Sequence, residues 1–187
     1  MEIRLAHNLQ PDSIVDGPGI RTVIWTQGCT HSCFGCHNPE THNMKGGFKL
    51  SVDEICQQLS EIPFQDGITF SGGDPMLQPE PCSEIAKYAK NLGLNVWCYT
   101  GFTYEQLLEL ENKNPKIKAF MDNIDILVDG KFILEQKSLS LKYRGSRNQR
   151  IIDVKLSKEK EQVILAPEFI EDVYHQKLYN KEKYMYL

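Results

Sequence analysis

Three cysteines that lie within eight residues constrain this chain more than any other feature of its sequence. Cys29, Cys33 and Cys36 follow the pattern C-x3-C-x2-C, whereas the other three cysteines are scattered at positions 56, 82 and 98. Thiolates spaced so closely on one loop can converge on a single metal centre. We therefore expect a metal site on this loop, and structural thiols at the three scattered positions.

The spacing favours an iron–sulfur cluster over zinc. A cubane [4Fe–4S] cluster is usually held by four cysteines, so three leave one iron open to a small chelating molecule. Zinc would need a fourth ligand from His31, His37 or His42, but zinc sites usually come as two ligand pairs, which this loop lacks. Three buried cysteines without a ligand role are the third alternative, and the pattern alone leaves all three open.

Composition indicates a globular chain and gives no indication of nucleic-acid binding. At about 150 residues per domain, its 187 residues predict a single domain over positions 1–187. A hydrophobic content of 41% argues against disorder, and a formal net charge of −4 gives no basic excess for nucleic acid. No apolar run reaches the roughly 20 residues of a membrane span, and no signal peptide is evident. The expected location is therefore the cytoplasm, and no membrane partner is expected.

Strands and helices alternate along the chain and predict an α/β fold. Strands are expected over residues 22–27, 67–71, 95–100, 124–129 and 149–154. Helices are expected over residues 52–62, 79–92 and 103–111. This alternation is typical of a parallel sheet with helices outside it, in which chemistry collects at the carboxyl ends of the strands. The cysteine loop and the polar residues at 72–74, 99–101 and 129–131 fall at such ends and predict one site.

Several motifs in this order resemble the radical S-adenosylmethionine superfamily. The C-x3-C-x2-C loop after a first strand and the Gly-Gly-acid turn after the second are typical of it. Residues 16–21 (DGPGIR) and 36–38 (CHN) resemble the enzymes that activate glycyl-radical enzymes. Residues 128–132 (VDGKF) and 143–149 (YRGSRNQ) resemble the group that acts on the anaerobic ribonucleoside-triphosphate reductase.

The resemblance implies an enzyme with one [4Fe–4S] cluster on the three clustered cysteines. It would cleave S-adenosylmethionine to a 5′-deoxyadenosyl radical, which takes a hydrogen atom from a glycine of the reductase. A full eight-unit (β/α) barrel needs about 250 residues, so we expect an incomplete barrel of roughly six βα units. Its core would cover about residues 14–154, with a peripheral C-terminal segment over residues 155–187.

The resemblance also implies which residues bind the cofactor. Gly72 and Gly73 would let the methionine part approach exposed backbone groups, and Asp74 would accept its α-ammonium group. The adenine is expected beside the third cysteine. The candidates there are His37 and the backbone of Gly35 and Cys36.

A second set of polar residues is implied around the same rim. Asp129 and Lys131 match an acid near a monovalent cation and a lysine that reaches the methionine carboxylate. Residues 99–101 lack the second acid that such a cation site needs, which argues against the cation. Arg144 and Arg147 are candidates for facing the partner protein, with binding of the nucleotide-like cofactor or a solvated surface as their alternatives. The same alternatives hold for Arg21 and Arg150.

Two other functions remain open at this point. The chain could activate a different glycyl-radical enzyme such as pyruvate formate-lyase, although several such activators are longer or carry extra cysteines. A non-catalytic iron–sulfur or zinc protein is the other alternative, although an electron carrier would need all four irons held by protein. A flavodoxin-like or other low-potential donor would supply the electron, and a homodimer is allowed.

Overall fold

The computed structural model describes residues 1–169, which form an α/β fold around one eight-stranded sheet. The strands are β1 (Glu2–Leu5), β2 (Gln10–Ser13), β3 (Arg21–Thr26), β4 (Phe48–Ser51), β5 (Gly67–Gly72), β6 (Asn95–Tyr99), β7 (Ile126–Asp129) and β8 (Arg150–Asp153). The helices are α1 (Val52–Glu61), α2 (Pro79–Asn91), α3 (Tyr104–Glu111), α4 (Pro115–Met121) and α5 (Val154–Lys160). Over these residues, no helix has the length and apolar character to cross a membrane.

The sheet has a parallel centre and antiparallel edges. β3, β5, β6 and β7 are parallel neighbours, and the strand order is β4-β1-β3-β5-β6-β7-β8, with β2 also paired to β3. The α/β class is confirmed, but the four parallel strands are fewer than the roughly six βα units expected. The last predicted strand, β8, pairs antiparallel with β7. The connection between them contains only one short 3-10 helix and so lacks the helix that usually carries a parallel crossover.

The two faces of the sheet contact different hydrophobic clusters. The larger cluster lies between the sheet and the helices and contains Phe70 and Val96. The smaller cluster, on the other face, is built on Trp97 and Val128 and packs against Phe169. The described part of the C-terminal segment therefore packs against the sheet, and residues 170–187 of that segment lie outside the described residues.

The three scattered cysteines belong to the larger cluster. Cys82 and Cys98 are fully buried in it, and the half-buried Cys56 packs against it. Burial raises the pKa of all three thiols, which keeps them protonated and unreactive. Their predicted structural role is confirmed.

Arg21 is buried in the sheet and hydrogen-bonded to neutral groups. Only 1% of this residue is exposed, and its guanidinium donates to the hydroxyl of Thr69 and to the carbonyls of Ile68 and Asn95. The guanidinium carbon also lies 5.5 Å from the ring centroid of Trp97. Burial lowers the pKa of Arg21 to about 10. Arg21 thus joins the first residues of β3, β5 and β6, and it is not available to a cofactor or a partner protein.

We predict that Arg21→Ala lowers the free energy of unfolding by about 3 kcal/mol, because it leaves a cavity and removes the donors of buried carbonyls. A urea titration followed by circular dichroism under reducing conditions measures the change. Lys87→Ala is the control, because Lys87 is an exposed residue of α2 whose ion-pair partner among residues 1–169 is Glu84. The control should change the stability by less than about 0.5 kcal/mol. An equally small effect of Arg21→Ala would contradict the structural role of this arginine.

Candidate active site

One cavity at the carboxyl ends of the parallel strands brings most of the predicted site residues together. Its volume is about 410 Å³, within the range of about 300–1,000 Å³ that is typical of small-molecule sites. The cysteine loop, the ends of β5 and β6, and the loop between β7 and β8 all contribute to it. Its lining includes Cys29, His31, Cys33, Cys36, His37, Gly72, Gly73, Asp74, Tyr99, Phe132, Arg144 and Gln149.

Backbone geometry shapes the cysteine loop. The N–H of Gly28 donates to the carbonyl of Thr41 (2.8 Å), which closes the loop at its base. Ser32 and Gly35 have φ angles of 48° and 71°, in the left-handed region that favours glycine. A side chain at position 35 would also meet Leu134 at 3.1 Å, so glycine is the residue that fits there.

The three thiols of this loop suit an iron–sulfur cluster. All three are unpaired and half-buried around the same cavity. The N–H of Asn38 donates to the Sγ of Cys36 (3.4 Å), a contact of the kind that tunes cluster sulfurs. Burial raises the pKa of Cys29. Within residues 1–169 no fourth cysteine lines the cavity, so one iron of a [4Fe–4S] cluster would remain open to a chelating cofactor.

The zinc alternative has no support from side-chain placement. In the described part of the chain, no three His, Cys, Asp or Glu side chains are placed to hold one metal ion. The ring of His31 contacts Asp74 instead of the cysteines. The thiolates of a cubane cluster each bind a different iron, so they need not meet at one point as zinc ligands do.

The Gly-Gly-Asp turn packs directly against the start of the cysteine loop. The N–H of Gly73 donates to the carbonyl of Thr26 (2.7 Å), and the N–H of Asp74 donates to that of Gly28 (2.8 Å). A Cβ at position 73 would lie 2.3 Å from the carbonyl oxygen of Gly28, so only glycine fits. The N–H and carbonyl groups of Gly72 and Gly73 are expected to be open to a ligand, but the N–H of Gly73 is used within the chain. At Gly73 the turn would therefore contact a bound molecule through the carbonyl oxygen.

Asp74 is buried, and its carboxylate has four partners in the chain. The residue is 1% exposed and accepts hydrogen bonds from the N–H of Met76, the hydroxyl of Thr100 and the N–H of Gly101, each at 3.0 Å. Its Oδ2 also lies 2.6 Å from Nε2 of His31. A carboxylate has about four acceptor sites, so these partners use its capacity. The structure thus places Asp74 in a hydrogen-bond network within the chain, and its predicted contact with an α-ammonium group stays a prediction.

Asp129 and Lys131 line a neighbouring cavity of about 460 Å³ rather than the one that the cysteines line. Asp129 is 1% exposed and accepts hydrogen bonds from Arg150 (3.0 and 2.5 Å) and from the N–H of Tyr104 (2.8 Å). Arg150 also holds the carboxylate of Glu105 and lowers the pKa of that group to about 2. The positive charge beside Asp129 is therefore supplied by an arginine, so these residues do not fit a monovalent cation. Lys131 does not reach the cysteine cavity as the resemblance implied.

His37 lines the cysteine cavity beside Phe132, with the ring centroids 4.6 Å apart. Gly145 provides the space for this pair, because a Cβ there would lie 2.9 Å from the His37 ring. Gly35, also predicted at the adenine, is exposed and is not among the residues that line the cavity. Phe132 is a cavity residue that the sequence reasoning missed, although it lies in the VDGKF motif.

The loop before β8 is held against β7 by Gln149. Its Nε2 donates to the carbonyl of Gly130 (3.0 Å), and its Oε1 accepts a hydrogen bond from the N–H of Gly145 (2.8 Å). Arg144 lines the cavity and donates to the backbone carbonyl of Gln149 (3.0 Å). Arg147 is exposed. The two arginines predicted to face a partner therefore differ, since one lies in the cavity wall and the other on the surface.

Comparison with known proteins gives three findings. Residues 15–152 match the family model described as a 4Fe-4S single cluster domain. The anaerobic ribonucleoside-triphosphate reductase-activating protein of Escherichia coli (strain K12) is 36% identical over 152 residues, which cover 76% of this chain and 94% of that protein. The pyruvate formate-lyase-activating enzyme of Clostridium pasteurianum is 42% identical over 125 residues, which cover 64% of this chain and 52% of that enzyme.

Among solved structures, QueE from Escherichia coli superposes with a TM-score of 0.45 and 13% identity, covering 55% of this chain and 53% of that one. This likeness is too weak to support a conclusion. The similarity to the E. coli activating protein, in contrast, extends over nearly the whole of that relative. The chain therefore belongs to the family of anaerobic ribonucleoside-triphosphate reductase-activating proteins, with the single-cluster 4Fe–4S domain over residues 15–152.

Proposed function

We propose that this chain activates the anaerobic ribonucleoside-triphosphate reductase by reductive cleavage of S-adenosylmethionine and formation of a glycyl radical on the reductase. The observation that carries the proposal is the single cavity lined by both the C-x3-C-x2-C loop and the Gly-Gly-Asp turn. Family membership supports it, because the E. coli relative is named for this activation.

Cys29, Cys33 and Cys36 would hold the [4Fe–4S] cluster. When bound, the cluster supplies one electron to S-adenosylmethionine at its open iron, which yields methionine and the 5′-deoxyadenosyl radical. The chain supplies orientation and a shielded cavity. Its half-buried thiols and the N–H that Asn38 donates to Cys36 fix one side of that cavity.

The walls of the cavity would bind the two ends of S-adenosylmethionine. Gly72 and Gly73 bring backbone carbonyls close to the cysteine loop, where the methionine part would lie. His37 beside Phe132 offers flat ring surfaces to the adenine. These assignments rest on the lining of the cavity, and at Gly73 the carbonyl group is left for the contact because the N–H is used within the chain.

We further propose that the sheet forms an incomplete barrel whose open side admits the glycine segment of the reductase. All four parallel strands are followed by residues that line one cavity, and the strand order ends at β4 and β8. The exposed Arg147 would face the reductase. A flavodoxin-like or other low-potential electron donor and a homodimer stay predictions from the family resemblance.

Activation of pyruvate formate-lyase is the second candidate, favoured by the 42% identity to the Clostridium enzyme. We predict that the reconstituted chain, with S-adenosylmethionine and dithionite, forms a glycyl radical on the anaerobic reductase and not on pyruvate formate-lyase. Electron paramagnetic resonance of each mixture detects the radical. A radical signal on pyruvate formate-lyase alone would show that this enzyme, and not the anaerobic reductase, is the one activated. No signal on either protein would refute both candidate functions.

Replacing any one of the three loop cysteines by alanine should remove most of the iron and abolish the cleavage of S-adenosylmethionine. Each replacement deletes one of the three protein ligands. Iron per chain after anaerobic reconstitution and the release of 5′-deoxyadenosine measure the two effects. Cys56→Ala is the matched control, because Cys56 packs against the helices away from the cavity. Loop variants with as much iron and activity as Cys56→Ala would disprove the assignment of these cysteines as cluster ligands.

The cleavage of S-adenosylmethionine should not depend on the monovalent cation, because Arg150 already neutralises the buried Asp129. We expect equal rates in sodium, potassium and tetramethylammonium buffers. Arg150→Ala leaves Asp129 buried without its counter-charge and should lower the free energy of unfolding by about 3 kcal/mol. Several-fold stimulation of the unsubstituted protein by potassium alone would show that a cation binds despite the arginine.

A further inference from the structure

We infer that His31, held by Asp74, is a positioning residue that fixes the cysteine loop against the ends of β5 and β6. The inference rests on the proposed function, because it concerns how the chain holds the cluster. It assigns roles that the cysteine pattern does not contain, since neither residue is a ligand of the iron.

His31 is nearly buried although it lies in a surface loop between two cluster ligands. Its side chain is 8% exposed, whereas Phe34 in the same loop is 81% exposed. Its Nε2 lies 2.6 Å from Oδ2 of Asp74. Among the described residues, His31 is the residue of segment 29–36 whose side chain hydrogen-bonds to the turn after β5. The Sγ of Cys36 accepts its hydrogen bond from Asn38, close by in the sequence.

The residues after β6 form a slot that matches the imidazole ring. Phe102 packs edge-on against the ring, with centroids 4.6 Å apart and an interplanar angle of 76°. Gly101 leaves the space that the ring needs, because a Cβ there would lie 2.3 Å from its Cδ2 atom. Phe102, Gly101 and the carboxylate of Asp74 therefore surround the His31 ring and fix its position.

Asp74 is a fixed anchor for the histidine. Its carboxylate accepts hydrogen bonds from Met76, which follows β5, and from Thr100 and Gly101, which follow β6. The N–H of Asp74 donates to the carbonyl of Gly28 at the base of the cysteine loop. The loop is thus attached to the sheet at its base through backbone and between its first two cysteines through His31. Loss of the second attachment would free Cys29 and Cys33 to move relative to the cavity.

The test compares His31→Ala, His31→Gln and Asp74→Asn in the full-length, anaerobically reconstituted protein. Glutamine can place an amide N–H near the position of Nε2, so it serves as the conservative replacement. His7→Ala is the control, because His7 is exposed and lies 3.8 Å from its partner Glu40. The readouts are iron per folded chain, the line shape and reduction potential of the cluster, and the KM for S-adenosylmethionine separately from kcat.

We expect His31→Ala and Asp74→Asn to retain several-fold less iron, to broaden the line shape and to shift the potential. The double variant that combines His31→Ala with Asp74→Asn should retain no less iron than the weaker of the two single variants, and His31→Gln should recover much of the loss. Unchanged iron and line shape in both variants, with only a lower unfolding midpoint, would overturn the inference in favour of a purely structural pair.

Two further outcomes separate the roles of these residues. A large increase of KM for S-adenosylmethionine in Asp74→Asn, with normal iron and line shape, would show that Asp74 binds the cofactor and would overturn the inference. An unsubstituted protein that binds iron but does not cleave S-adenosylmethionine would refute the proposed function instead. Iron retention and line shape would still decide the role of His31 in that case.

Discussion

A buried carboxylate with four hydrogen-bond partners holds the active-site end of this fold together. Asp74 joins the turn after β5, the turn after β6 and the cysteine loop, and its own N–H reaches Gly28. A hydrogen bond to a charged group contributes about 2 kcal/mol, so these contacts offset the cost of burying the charge. The cavity has its shape because the loop and both turns are fixed to the same side chain.

Other charged side chains hold the sheet in a similar way at different places. Arg21 joins the first residues of β3, β5 and β6 at the opposite end of the strands through carbonyl acceptors. Arg150 lies between Asp129 and Glu105 and connects β8 to β7 and α3. Hydrophobic clusters cover both faces of the sheet, and these polar contacts fix its ends. The cavity can therefore carry half-buried thiols without depending on them for its shape.

The periodic elements and the cysteine loop were predictable from sequence, because their signals are local. A capping box of Ser51 and Glu54 starts α1 at Val52, the residue at which the predicted helix 52–62 begins. The short antiparallel strands β1, β2 and β4 were missed, since four residues each carry little periodicity. The seven-residue helix α4 was missed for the same reason.

The direction of side chains at strand ends was not predictable in the same way. Successive residues of a strand point to opposite faces of the sheet. A motif at a strand end therefore does not show on which face each of its side chains lies. Val128 packs in the smaller cluster, and its neighbour Asp129 turns towards α3 and Arg150. Asp74 likewise has partners from three segments that are far apart in the sequence. For the contact between His31 and Asp74, the sequence offers one local sign, which is that His31 lies between two of the clustered cysteines.

Electron paramagnetic resonance of the reduced, iron-reconstituted protein, recorded with and without S-adenosylmethionine, tests the central claim most directly. The claim is that three cysteines hold a [4Fe–4S] cluster with one iron open to this cofactor. It predicts the signal of a reduced [4Fe–4S] cluster whose line shape changes when S-adenosylmethionine is added. A cluster signal that is identical in both samples, or a protein that binds zinc and no iron, would contradict it.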